Sequence, residues 1–407
     1  MAEGKQLASE ATGPLSGIRI LDLTSVVFGA YATQILGDQG ADVIKLEDPG
    51  SGRGDGGDIM RWAGHVPDGA PRDLGPIFLT INRNKRSVLA DLRDADLRPK
   101  LEALIASCDV FAASVRYEGL KRLGLDYESV KAIRPDVIYV HAAGYGSEGP
   151  YAGEPAYDDL IQSASGLADL LPRTDGNEVP RILPTLVADK VSGLFMSQAI
   201  TAALFHRART GEGQFVEVPM LECVTSFNLV ENLYDHAYEP PTGQWSYQRV
   251  TNPNRKPFRT KDGYIGLLPY TDKQWDQFFA VAGWGETVAK DPRFSDYAQR
   301  AKHTRELYGL VEEVTSTKTT AEWLDLLKGL SIPVQKTNRF EDLESDPHLA
   351  AVGLFERYDH PHIGPYKAIR PPVKFEKTPA NIRRHPPRLG EQTEEVFAEV
   401  RPRTSPE

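Results

Sequence analysis

Residues 18–47 constrain the architecture more than any other stretch. Ile18-Arg19-Ile20-Leu21-Asp22-Leu23 is a short apolar run suited to a buried strand. Thr24 to Gly29 form a turn, Ala30 to Leu36 continue as a helix, and Gly37 to Gly40 break it. Ala41-Asp42-Val43-Ile44-Lys45-Leu46-Glu47 is a second strand. Strand, helix and strand at this spacing form a βαβ unit, which requires parallel pairing and a sheet covered on both faces. The alternation then repeats. Residues 86–90, 109–113, 137–141 and 215–218 read as strands, and 97–107 and 127–133 as helices. This predicts a doubly wound α/β domain with a Rossmann-like parallel sheet.

Nicotinamide dehydrogenases share that architecture, and Glu47 ends the second strand in the position of their ribose-binding acid. The first turn argues against them. Thr24-Ser25-Val26-Val27-Phe28-Gly29-Ala30 holds one glycine where the dinucleotide fingerprint needs three. Glu47 then reads as a surface or structural residue.

A chain of 407 residues exceeds one ordinary core. The expected division is a large domain from residues 1–222 and 338–407, with a connector and a smaller α+β domain over 223–337. Residues 236–262 are rich in Pro, Tyr and Asn, without periodicity. The small domain begins at a strand over 263–268 and holds helical stretches at 275–282, 301–315 and 321–327. An acidic helix over 391–400 follows a Pro-rich stretch. Gly50, Gly52, Gly54, Gly56 and Gly57, with Arg53 and two Asp, read as a solvated linker or as a rim offering Arg53 to a phosphate.

The net charge of −10 gives no global attraction to nucleic acid or to an anionic membrane, so an anionic ligand needs local basic residues. Cys108 and Cys223 form no metal or disulfide pattern. No leader pattern and no span-length apolar run is seen, so a cytoplasmic protein is expected, with residues 1–13 as a loose tail.

Within Arg181 to Ala203, an apolar segment ends in Asp189, and apolar residues then recur at helical spacing through Val191, Leu194, Phe195 and Ile200. Asp189 therefore sits where a helix should begin. It reads as an N-cap, or as a carboxylate held at a helix terminus for covalent chemistry. The two readings can coexist.

Several words in order resemble the family III CoA-transferases, the group of formyl-CoA and carnitine CoA-transferases. They include Pro14 to Asp22, Gly40 to Glu47, Asn82-Arg83-Asn84-Lys85-Arg86-Ser87, Arg122 to Tyr127, Pro155 to Asp158, Thr210 to Gln214, Lys261 to Tyr264 and Arg388 to Glu391. The resemblance covers nearly the whole chain. It implies that Asp189 is the nucleophile, passing CoA through aspartyl anhydride and aspartyl-CoA thioester intermediates. It implies CoA contacts at Val26 and Val27, at Ala90, Asp91, Leu92 and Arg93, at Arg122, and at Ala156, Tyr157 and Asp158; Arg116, six residues before Arg122 and after the strand ending at Ala113, is a further candidate because its guanidinium fork suits phosphate. CoA is then a substrate, with no permanently bound cofactor and no metal. An interlocked homodimer is also implied, and the unpatterned connector 236–262 fits it.

The chain departs from that pattern in places. Asp48 follows Glu47 where an arginine is usual, with Arg53 a possible substitute. Ala113-Ser114-Val115 replaces an Asn-Phe pair. No Gly-rich shielding loop occurs near 250–260, which weighs against formyl-CoA and oxalate as substrates. An acyl-CoA racemase of the same fold is the rival reading, but its histidine would precede Asp158, where Tyr157 stands. His141 reads as a core histidine. A non-catalytic CoA-binding relative is a third reading, and the presence of Asp189 counts against it.

Overall fold

The computed structural model describes residues 4–50 and 56–400. Its largest sheet has six parallel strands: β1 (Arg19–Leu23), β2 (Asp42–Glu47), β3 (Lys85–Leu89), β4 (Val110–Ala113), β5 (Ile138–Ala143) and β6 (Gln214–Pro219). Their order is β3-β2-β1-β4-β5-β6. Each lies within two residues of its predicted bounds. The order reverses between β1 and β4, and ligands of such sheets bind outside the strand carboxyl ends at that point.

Successive strand residues face opposite layers. Ile20, Val43, Val110, Ile138 and Val140 pack against helix α1 (Phe28–Asp38) and a long helix over Val187–Thr210. Leu21, Ile44, Val88, Phe111 and Tyr139 pack on the other face, against Leu101, Leu104 and Ile105 of the helix Arg98–Ser107. Both faces are thus covered, as continuous apolar strands require.

Charged side chains nonetheless lie inside the strands. Asp22 of β1, Lys45 of β2 and Lys85 of β3 are all buried. Lys85 Nζ meets Asp22 Oδ2 at 3.1 Å and donates to the Ala30 carbonyl at 2.9 Å. Burial pulls the Lys85 ammonium down to about 8, with Asp22 opposing the change. Lys45 Nζ donates to the Thr24 carbonyl at 2.7 Å and pairs with Asp58 Oδ2 at 2.9 Å.

The chain divides into two compact units. One ends a first stretch at Leu167, includes Ile182–Asn228 and resumes at Pro347; the other comprises Ala168–Arg181 and Leu229–Asp346. The second holds a three-stranded antiparallel sheet, β7 (Phe258–Arg259), β8 (Tyr264–Leu267) and β9 (Val334–Lys336). Phe278, Phe279, Val311 and Trp323 fill its core. The predicted helix over 301–315 is two helices, Tyr297–Lys302 and Thr304–Thr315, separated at His303.

The Pro-rich stretch before the last helix hides an antiparallel hairpin, β10 (Phe355–His360) with β11 (Gly364–Ile369). The acidic helix is Thr393–Glu399, and its segment covers the open edge of β3. The N–H groups of Ser87 and Leu89 donate to Gln392 Oε1 and Thr393 Oγ1, both at 2.9 Å. Arg86 pairs with Asp42, Glu395 and Glu399. An edge strand covered in this way offers no template for other chains. No helix among the described residues is long and apolar enough to cross a membrane.

Candidate functional site

Two further helices build the site: α3 (Val187–Thr210), which packs on α1, and α2 (Asp158–Ala164), which follows β5 and packs on α3. Asp189 lies in the first turn of α3. It is not the cap: Leu186 holds that position, without a side-chain cap. A helix leaves its first N–H groups without internal partners. Here the Asp189 N–H donates to Asp158 Oδ2 at 3.0 Å. The capping carboxylate therefore comes from α2, and the Asp189 side chain is not used as the cap.

One buried amide holds this arrangement. Gln162 Nε2 donates to Asp158 Oδ1 at 2.6 Å and to the carbonyls of Leu183 and Thr185 at 3.3 and 3.1 Å. Its Oε1 accepts the Leu183 N–H at 2.8 Å. Gln162 thereby fixes both the Asp158 rotamer and the segment leading into α3.

Asp189 is 6% exposed and Asp158 is 4% exposed. Burial pushes the Asp189 carboxyl up to about 7, and the Asp158 charge adds to the rise. The backbone N–H of Phe28 acts oppositely, favouring the charged form. A carboxylate of raised basicity, partly ionised at neutral pH, is a better nucleophile than an ordinary surface aspartate.

Phe28 reaches this site because α1 and α3 pack closely. A Cβ on Gly193 would lie 2.9 Å from the Phe28 carbonyl oxygen and 3.1 Å from Tyr31 Cδ1. Only glycine permits that approach. The turn before α1 is pinned residue by residue. Thr24 N–H donates to Asp22 Oδ1 at 2.9 Å, Ser25 N–H to Ser114 Oγ at 3.2 Å, and Val26 N–H to Asp58 Oδ1 at 3.0 Å. Val26 has φ 64°, a left-handed conformation that β-branched residues rarely adopt.

The other candidate residues distribute along the carboxyl edge of the sheet. Val27 is buried and Val26 half-buried in a small cluster with Ala30, Met60 and Ile81. Ala90 is buried after β3, Asp91 and Leu92 are half-buried, and Arg93 is exposed. Arg93 pairs with Asp91 at 2.8 Å and with Asp48 at 3.9 Å. Arg116 caps and Arg122 ends the helix Tyr117–Arg122 beyond β4; both are exposed, and neither has an ion-pair partner among the described residues. Ala156 is half-buried, Tyr157 is 64% exposed, and Asp158 turns inward. Arg53 lies outside the described residues.

The reading of Glu47 as a surface or structural residue resolves to the second. It is buried, bound by Arg61 Nε and Nη2 at 2.8 and 2.6 Å and by Ser87 Oγ at 2.6 Å. His141 is buried and its Nε2 lies 3.1 Å from the Val115 carbonyl; burial lowers its pKa. The Gly-rich segment is no solvated linker at its far end, where Asp58 is buried against Lys45. Asp58, Lys45, Ser114 and Gln162 were not singled out from sequence. For Gln162 the one signal was its spacing, four residues after Asp158 on a helix. No cluster among the described residues could hold a metal ion.

The family model described as CoA-transferase family III matches residues 15–393. The chain is 31% identical over 396 residues to the succinate–glutarate CoA-transferase of Agrobacterium fabrum, covering 95% of this chain and 96% of that one. It is also 31% identical to the formyl-CoA:oxalate CoA-transferase of Afipia carboxidovorans, covering 95% and 93%. Among solved structures, Rv3272 of Mycobacterium tuberculosis superposes with a TM-score of 0.81 at 28% identity, covering 95% of this chain and 99% of that one.

Proposed function

The chain belongs to CoA-transferase family III. From that membership we propose that it moves CoA from an acyl-CoA thioester to a free carboxylic acid, with Asp189 as the nucleophile. The observation that carries this reading is the buried Asp189 carboxyl, raised to about 7 beside Asp158 at the carboxyl edge of the sheet.

The Asp189 carboxylate attacks the thioester carbonyl of the donor; the carbon–sulfur bond breaks and CoA thiolate leaves. The thiolate then attacks the aspartyl carbonyl of the resulting anhydride and releases the donor acid. The acceptor carboxylate attacks the aspartyl-CoA thioester, and the thiolate returns to the acceptor's carbonyl, freeing Asp189. Covalent catalysis divides one difficult exchange into easier steps. Asp158 holds the Asp189 backbone and keeps the carboxylate basic, and the burial that raises it also keeps water from the anhydrides. The exposed guanidinium groups of Arg116 and Arg122, without an ion-pair partner among the described residues, suit CoA phosphates. The turn at Val26 and Val27, the segment Ala90 to Arg93, and Ala156 to Asp158 lie along the same rim.

Relatives named for succinate, glutarate and oxalate support short dicarboxylic acids as the first acceptors to test. An intertwined homodimer working in the cytoplasm is part of the same reading. A racemase would need a base where Tyr157 stands, and phenol is a poor one. The test incubates the protein with acyl-CoA donors, with and without dicarboxylic acids, and reads products by mass spectrometry. Exchange of CoA, with CoA captured on the wild-type chain but not on Asp189→Ala, is the expected result. Exchange by Asp189→Ala at the wild-type rate overturns the nucleophile, and α-proton exchange without CoA transfer makes the protein an isomerase.

A further inference from the structure

We propose that Asp58 is a positioning residue for the nucleophile: its carboxylate, paired to Lys45, holds Val26 in a left-handed turn and so directs the Phe28 N–H toward Asp189. This rests on the reading of Asp189 as the nucleophile, but its test does not require turnover.

The argument begins with the outlier. Val26 at φ 64° is strained, because a β-branched side chain crowds the backbone there. Such strain persists only where neighbours over-determine the conformation, and it concentrates at functional sites. Here the Val26 N–H donates to Asp58 Oδ1 at 3.0 Å. The same carboxylate faces Lys45 Nζ at 2.9 Å, and that ammonium donates to the Thr24 carbonyl two residues before Val26. Asp58 also caps its own short helix by accepting the Met60 N–H at 3.0 Å. One buried ion pair thus grips the turn on both sides. Two residues beyond Val26, Phe28 begins α1 hard against α3, its carbonyl 2.9 Å from where a Cβ on Gly193 would stand one turn after Asp189, and its N–H favours the charged form of Asp189. A relaxed turn would swing that N–H away. A core ion pair needed only for stability would not have to hold a valine in this conformation.

The test separates geometry from charge. Asp58→Asn removes a negative charge, which by itself pulls the Asp189 titration to lower pH, because Lys45 is then less compensated. Loss of the aligned Phe28 N–H moves it to higher pH. The Asp189 titration is read by infrared difference spectroscopy of each variant against its Asp189→Asn counterpart, with Asp158 unchanged throughout. The proposal expects a move to higher pH in Asp58→Asn. It also expects Val26→Gly, added to Asp58→Asn, to bring the titration back, since glycine adopts φ 64° without steric cost. Asp58→Glu keeps the charge opposite Lys45 but displaces the oxygens, and serves if the amide variant does not fold; it too should shift the titration upward. In CoA exchange, kcat should fall about 100-fold with KM for acyl-CoA little changed, the scale of a 1 Å misplacement. A shift to lower pH, or no recovery with Val26→Gly, overturns the positioning role. If no donor and acceptor pair supports exchange, the reading of function fails, while the titrations still decide the role of Asp58.

Discussion

Replacing Asp189 by Asn should stabilise the protein while silencing it, and the gain should depend on pH with a defined sign. The amide keeps the shape of the side chain and removes its charge. In the folded protein the Asp189 carboxyl lies at about 7 against an ordinary value of 3.8, so the folded state binds its proton more tightly than the unfolded chain does. Its stabilising contribution is therefore full near pH 4 and is lost as pH rises through about 7. The interval is about three pH units, each worth about 1.4 kcal/mol, which gives about 4 kcal/mol in full. About two of those units lie above pH 5, so the variant should gain about 2–3 kcal/mol on the wild type between pH 5 and pH 8. Urea melts of both proteins at pH 5, 6, 7 and 8, at one protein concentration, measure the gap, and ionising groups remote from Asp189 cancel between the two chains. CoA exchange in the variant should be absent. A gap that is constant across the series would show that Asp189 titrates like a surface carboxylate, and the account of its nucleophilicity would fall with it.

Arg122→Ala should weaken binding of acyl-CoA about tenfold or more, the loss of a charge-assisted contact to phosphate, with the bound reaction little changed; unchanged apparent affinity for several acyl-CoAs would remove Arg122 from the CoA site. Gly193→Ala should cost about 1–3 kcal/mol in thermal or urea melts and lower turnover as well, because the new Cβ meets the Phe28 carbonyl at 2.9 Å and pushes α3 from α1; a neutral result would mean the helices separate freely. Light scattering over a wide dilution series should report a constant dimer mass, since threaded protomers part only by unfolding; a folded, active monomer at low concentration would refute the threading.

The sheet was legible because each strand is a short apolar run between breakers, and the local pattern carries that information. Asp189 was legible as a helix opener for the same reason, yet its role as a cap was misread. The acceptor for its N–H is Asp158, 31 residues earlier, and no local pattern reports a partner at that distance. Asp58 was hidden differently. It stands in a run of glycines that looks solvated, and only the fold brings Lys45 beneath it. The hairpin Phe355–His360 with Gly364–Ile369 was missed because prolines around it mask the alternation that marks strands. Buried polar partnerships are set by topology, and topology was the part of the chain that periodicity could only outline.

The cover over β3 has a consequence for biosynthesis. Arg86 emerges from the ribosome long before Glu395 and Glu399, two of the three acids that pair with it, and Ser87 and Leu89 wait as long for Gln392 and Thr393. During translation the edge of β3 is therefore a bare strand whose Arg86 has met Asp42 alone of its three acids, while more than 300 residues are still to be added. Such an edge is open to wrong pairing with neighbouring nascent chains. The last helix acts as a closing latch, and a ribosome stalled before Thr393 would hold a nearly complete sheet that cannot yet protect itself.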